Sequence, residues 1–149
     1  LPHAGGTGVA NFINRRQLTI EWGHCDPAGI VFNPRFFEYF DWSSWLLFEA
    51  ALGMKKREIT RKFGIVGFPL VSAGAKFMAP LRYGDVAEIA SEITEFKRTS
   101  FAVRHTLSKN GKVSVEGDET RVWAGSNPKD PAKLNPIAIP SDVIKRFKV

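Results

Sequence analysis

One segment constrains this chain more than any other. Asn33-Pro34 is followed by Phe36, Phe37, Tyr39, Phe40, Trp42, Trp45, Leu46, Leu47 and Phe48. Asn at a helix cap can accept a bond from a backbone N–H two or three residues on. Proline suits the first helical position, where no N–H is needed. The pattern predicts a helix to about Leu52, with Gly53 as its stop. The apolar residues cover nearly its whole circumference, and a helix of that kind is buried. A chain of 149 residues has room for one domain, so the rest of it must supply the wrapper.

The rest of the chain is strand-like. Gln17-Leu18-Thr19-Ile20-Glu21-Trp22 alternates polar and apolar residues, as a half-buried strand does. Similar alternation runs over about 70–79, 86–97, 101–108 and 113–124. Asn110-Gly111 marks a tight hairpin between the last two. Residues 55–63 are basic, residues 125–136 read as a loop, and Ser141 is placed to cap a short helix over 142–147. Strand, helix and four more strands give an α+β fold, with one antiparallel sheet curled around one helix. Residues 1–14 read as an unstructured or foreign lead, and 15–149 as a single domain.

Composition narrows the function classes without choosing one. The net charge of +6 suits polyanions, whether nucleic acid or a phosphorylated carrier such as coenzyme A, and it equally suits a plain solvated surface. The lone Cys25 forbids an intrachain disulfide and any cysteine-based metal cluster, which points to the cytoplasm. No apolar run is long enough to span a bilayer. No phosphate-binding glycine loop, metal-spaced histidine pair or Ser-His-Asp order stands out.

Three groups of residues carry possible chemistry. In His24-Cys25-Asp26-Pro27-Ala28-Gly29, six residues before Asn33, Asp26 offers a carboxylate. The helix start offers unpaired N–H groups and a positive dipole end. The Asn33 N–H is the natural oxyanion donor, because Pro34 has none. The same residues also make a good turn on their own. Cys25 beside His24 is a weaker nucleophile candidate, since adjacent extended residues point to opposite sides. Lys97 and Arg98 could hold phosphates or merely guard a strand end. Glu38 and Asp41 share a helix face, which is either a solvent-facing seam or a site wall. His105, in a strand, reads as structural.

These residues resemble a known family. Cys25-Asp26-Pro27-Ala28-Gly29-Ile30-Val31, Pro34 and the aromatic helix are similar to the 4-hydroxybenzoyl-CoA thioesterase family of hotdog proteins. The likeness continues through Gly64-Ile65-Val66-Gly67, Pro69, Val71-Ser72, Arg98, Ser100-Phe101 and Arg104-His105, over about residues 16–147. The resemblance implies a hotdog fold, with a five- or six-stranded antiparallel sheet around a long helix. It also implies homodimers or homotetramers with sites at the subunit interface.

By resemblance, Asp26 is the catalytic carboxylate and Asn33 the backbone donor. Asp41 faces a substrate phenol, Gly67 and Phe68 border the acyl pocket, and Lys97 and Arg98 meet the coenzyme A phosphates. Phe68 stands where the family has a smaller polar residue, which implies a tighter, more apolar pocket. The implied reaction is hydrolysis of an aromatic acyl-CoA to free acid and coenzyme A, with no metal or other cofactor. Alternatives are a thioesterase for short aliphatic or carrier-protein-bound acyl groups, and a hotdog enoyl-CoA hydratase pairing a histidine with the aspartate. A non-catalytic binder of acyl-CoA or nucleic acid is a further alternative. No nucleic-acid or membrane partner is expected.

Overall fold

The computed structural model describes residues 11–148. Strand β1 (Ile13–Thr19) leads through a 3-10 turn (Trp22–His24) to helix α1 (Pro34–Leu52) and helix α2 (Lys56–Phe63). Strands β2 (Leu70–Phe77), β3 (Val86–Phe96), β4 (Ser100–Lys109) and β5 (Lys112–Val122) follow. The chain closes with short strands β6 (Ala124–Ser126) and β7 (Leu134–Pro136) and helix α3 (Ser141–Lys145). The five long strands form one antiparallel sheet in the order β1-β3-β4-β5-β2. The expected Asn-Gly hairpin joins β4 to β5, with φ of 52° at Asn110 and 77° at Gly111. Two successive positive φ values match the right-handed twist of the strands they connect.

Helix α1 lies across the sheet. Phe36, Tyr39, Phe40, Ser43, Ser44, Leu47, Phe48, Ala51 and Leu52 are buried, at the three- and four-residue spacing of one helix face. Gly117 on β5 allows close approach, because a Cβ there would collide with the Phe40 ring. The core falls into two clusters. One gathers Phe48, Phe68, Phe101 and Trp123, the other Ile20, Phe36, Phe40, Leu81 and Ile89. A buried polar belt of Ser44, Ser91, His105, Glu119 and Arg121 adds to this interior.

Several expectations need correction. The helix is not enclosed on all sides: Glu38, Asp41 and Trp42 are exposed, so the sheet covers one face and leaves a seam. The first strand begins at Ile13, and Asn11 forms a bridge with Lys148, so part of the expected unstructured lead belongs to the fold. The remainder of that lead, 1–10, lies outside the described residues. Residues 125–136 are not wholly loop, because β6 and β7 pair within them. Asn33 makes no side-chain capping bond, and its own φ and ψ of −47° and −42° are helical. Ser141 likewise lies inside α3, with Pro140 at the cap position.

The two ends of the sheet carry different parts. The 25–31 segment bridges to Arg82, just before β3 begins. Gly67, Phe68 and Arg121 lie at the other end, where Leu70 pairs with Arg121 and Arg121 with Phe101. Strand β2 is an open edge, and Leu70, Val71, Phe77 and, just beyond it, Met78 are all about half exposed or more. An apolar edge with unpaired backbone groups is a template for another strand. No described helix is long and apolar enough to cross a membrane.

Candidate active site

The segment 25–31 folds as a tight hairpin. Asp26 N–H donates to Ile30 O at 2.9 Å, Gly29 N–H to Asp26 O at 2.9 Å, and Phe32 N–H to His24 O at 2.9 Å. Pro27 presets φ at the second turn position, and Gly29 takes φ +80°, which only glycine adopts without strain. The Asp26 carboxylate folds back to accept the Ala28 N–H at 2.8 Å. The turn chemistry and the chemical reading of this segment therefore coexist, since the turn fixes where the carboxylate stands.

Asn33 follows the hairpin directly. Its helical dihedrals aim its N–H out of the helix start. Among the described residues no carbonyl accepts that N–H. A cleft of about 230 Å³ opens there, lined by Ile30, Val31, Asn33, Phe36, Phe77 and Leu81 among others. Asp26 lies outside that lining, across the hairpin from Ile30. About three rungs of extended chain, on the order of 10 Å, separate the Asp26 and Asn33 backbones.

The neighbouring histidine is already engaged. Tyr39 O–H donates to His24 Nδ1 at 2.8 Å, and the two rings pack at 5.3 Å. Burial pushes the Tyr39 hydroxyl up to about 12, so it stays a donor. With Nδ1 accepting, the His24 proton resides on Nε2, which faces Glu21 Oε2 at 3.4 Å. Cys25 Sγ turns to the Glu21 carbonyl at 3.7 Å. Neither arrangement makes a Cys-His nucleophile pair.

Asp41 stands midway along α1, exposed, with Oδ1 accepting from Arg121 Nη2 at 2.8 Å. Arg121 also donates to the Phe68 carbonyl at 2.9 Å and to both oxygens of buried Glu119. Glu119 Oε1 accepts from Ser44 at 2.7 Å and from His105 Nε2 at 2.8 Å, and His105 Nδ1 meets Ser91 at 2.7 Å. The Phe40 ring stacks on His105 at 4.9 Å. Phe68 is in the core, stacked on Trp45 at 4.0 Å, and Gly67 bridges to Ala124.

The expected residues thus form separate groups within one chain. Asp26 and Asn33 share the hairpin end, while Gly67, Phe68 and, through Arg121, Asp41 belong to the opposite end. Lys97 and Arg98 are exposed at the β3–β4 turn, with Lys97 Nζ 3.7 Å from Glu95. That turn lies the whole length of β3 from the hairpin, about 35 Å at strand rise. Glu119 and Arg121 belong to no motif in the sequence. The available signal was two charged residues in an otherwise alternating strand, each on the core-facing register of β5.

Burial pushes the Glu119 carboxyl up, but its bonds from His105, Arg121 and Ser44 outweigh that and bring it from 4.5 to about 2. Its folded value lies below its unfolded one. The stabilisation is therefore complete above about pH 4.5 and is lost as pH falls towards 2. Urea titrations should show wild type more stable than Glu119→Gln at neutral pH, by on the order of 3 kcal/mol, with the gap narrowing through that acid range. A gap that is independent of pH there would exclude an ionised Glu119 in the folded state.

Comparison with known proteins bears on the family and the fold. The model of the thioesterase-like superfamily matches residues 20–147. The 4-hydroxybenzoyl-CoA thioesterase of Pseudomonas sp. (strain CBS-3) is 37% identical over 134 residues, covering 87% of this chain and 93% of that protein. Its solved structure superposes with a TM-score of 0.83 at 34% identity, covering 92% of this chain and 99% of that one. A gentisyl-coenzyme A thioesterase structure matches with a TM-score of 0.75 at 30% identity, over 90% and 98% of the respective chains.

Proposed function

The chain belongs to the thioesterase-like superfamily, and from that premise we propose that it hydrolyses an aromatic acyl-coenzyme A thioester to the free acid and coenzyme A. The observation that carries this is that a turn-fixed carboxylate, Asp26, and the unbonded N–H of Asn33 at a helix start stand at the same end of the sheet. Charge develops on the carbonyl oxygen as the thioester is attacked. A donor already aimed at that point, reinforced by the helix dipole, stabilises it without reorganisation. Asp26 supplies the attack either directly, expelling the thiolate and leaving a mixed anhydride for water to open, or by taking a proton from the attacking water. Both routes use only side chains and water. The aromatic assignment rests on the relatives, which are named for 4-hydroxybenzoyl and gentisyl esters.

The working unit is a homodimer, alone or doubled into a tetramer. Antiparallel pairing of β2 with a second copy sets Leu70 beside Phe77 of the partner strand. It carries Gly67 and Phe68 of one copy towards the Asn33 cleft of the other. Lys97 and Arg98 then sit about three strand spacings, roughly 14 Å, to the side, within reach of an extended nucleotide tail. One chain alone separates these groups, so the dimer joins what the fold divides. The reduced Cys25 suits a cytoplasmic setting.

The hydratase alternative needs a free histidine beside Asp26, and His24 is committed to Tyr39 and Glu21. A panel of aryl- and alkyl-CoA esters, enoyl-CoA included, decides the matter by free-thiol release. Rapid release from benzoyl-type esters is expected. Release from alkyl esters alone, or loss of the enoyl double bond without thiol, would overturn the assignment.

A further inference from the structure

We infer that Arg121 is a positioning residue that sets acyl specificity: it aligns the Gly67–Phe68 segment with the carboxylate of Asp41, the residue that family resemblance already sets against the substrate phenol. The inference rests on the acyl-CoA reading above. Arg121 is almost wholly buried, while the carboxylate it holds is exposed. Its fork serves three masters: Nη1 the Phe68 carbonyl, Nη2 both Asp41 Oδ1 and Glu119, and Nε Glu119 again. Among the described residues Asp41 Oδ2 has no partner. A cleft of about 350 Å³ opens at that carboxylate, walled by Trp42, Trp45 and Leu46, with Glu49 and Lys56 at its border.

The charge balance explains why a second buried carboxylate is present. If Arg121 met Asp41 alone, one cation would neutralise one anion, and Asp41 would be a weaker acceptor. Glu119 draws on the same guanidinium from behind, and is itself anchored by Ser44 and by His105, which Ser91 orients. The three charged groups sum to one net negative charge, and its exposed end is Asp41. The same guanidinium fixes the Phe68 carbonyl, so two wall segments far apart in sequence share one clamp. Lysine could not replace it, because an ammonium lacks the planar fork needed to serve three acceptors at once.

The test compares kcat/KM for 4-hydroxybenzoyl-CoA and benzoyl-CoA in the full-length protein. Wild type should prefer the hydroxylated ester by about tenfold to a hundredfold, the size of one charge-assisted hydrogen bond. In Arg121→Lys the preference should fall most of the way to unity, with 4-hydroxybenzoyl-CoA losing far more than benzoyl-CoA. The double variant Arg121→Met, Glu119→Gln removes both buried charges together, so no unpaired ion is left to unfold it. It should show the same collapse of preference, with thermal denaturation confirming the fold. If the double variant does not fold, Arg121→Lys alone decides.

An unchanged preference in a folded variant overturns the inference. So does a parallel loss on both esters, which would mark a merely structural residue. Wild type active on both esters with no preference overturns it as well, and leaves the thioesterase reading intact. Wild type active on neither aryl ester overturns that reading, and this inference with it.

Discussion

Asp26→Asn should abolish hydrolysis of the best aryl-CoA ester while leaving the fold untouched, with kcat falling by about a thousandfold or more. The two halves of that expectation come from different atoms. The Ala28 N–H needs an oxygen acceptor at Asp26, and an asparagine carbonyl supplies one, so the 25–31 hairpin keeps its geometry. The chemistry needs a negative oxygen that can attack a carbonyl or take a proton, and an amide can do neither. Single-turnover thiol release, measured beside a thermal melt, separates these effects. A well-folded variant within about tenfold of wild type would remove Asp26 from the mechanism.

The second large effect concerns the edge of the sheet. Ala73→Arg places a cation near the middle of β2, and in the proposed dimer, whose two-fold axis runs between the paired β2 strands, it lies close to its own copy. Like charges juxtaposed across an interface cost several kcal/mol, enough to lower the dimer population by about a hundredfold or more. Sedimentation should then show a monomer with unchanged circular dichroism, and kcat/KM should drop in step with dimer loss. The drop follows from geometry, since one chain holds Asn33 and Phe68 at opposite ends of its sheet. Recovery of activity at high protein concentration would accompany reassembly. Full activity in a confirmed monomer would show that a single chain suffices.

The signals that sequence reading caught are short in range. The α1 pattern, the alternation of β2 to β5 and the Asn-Gly turn each depend on residues within a few positions of one another. The Asp26 hairpin is equally local, closed by bonds spanning two to eight residues. Local chemistry misleads where tertiary packing makes the choice. Asn33 looks like a side-chain cap, yet the chain enters α1 through the hairpin with Asn33 already helical. An aromatic run around a helix looks fully enclosed, yet only one sheet is available, so Trp42 is left exposed.

The order of residues by itself determined the long helix and its start, the long strands of the sheet and the turn that holds Asp26, because turns and periodicity are fixed by neighbours in the chain. Tertiary structure alone decided the Asp41–Arg121–Glu119–His105 belt. Its members come from a helix and two strands, and Arg121 is 80 residues from Asp41. Nothing in the pattern of β5 says which helix face Arg121 will meet. That depends on strand register and on how the Phe40 ring settles over Gly117, and a one-residue slip would send both charges to the other side of the sheet.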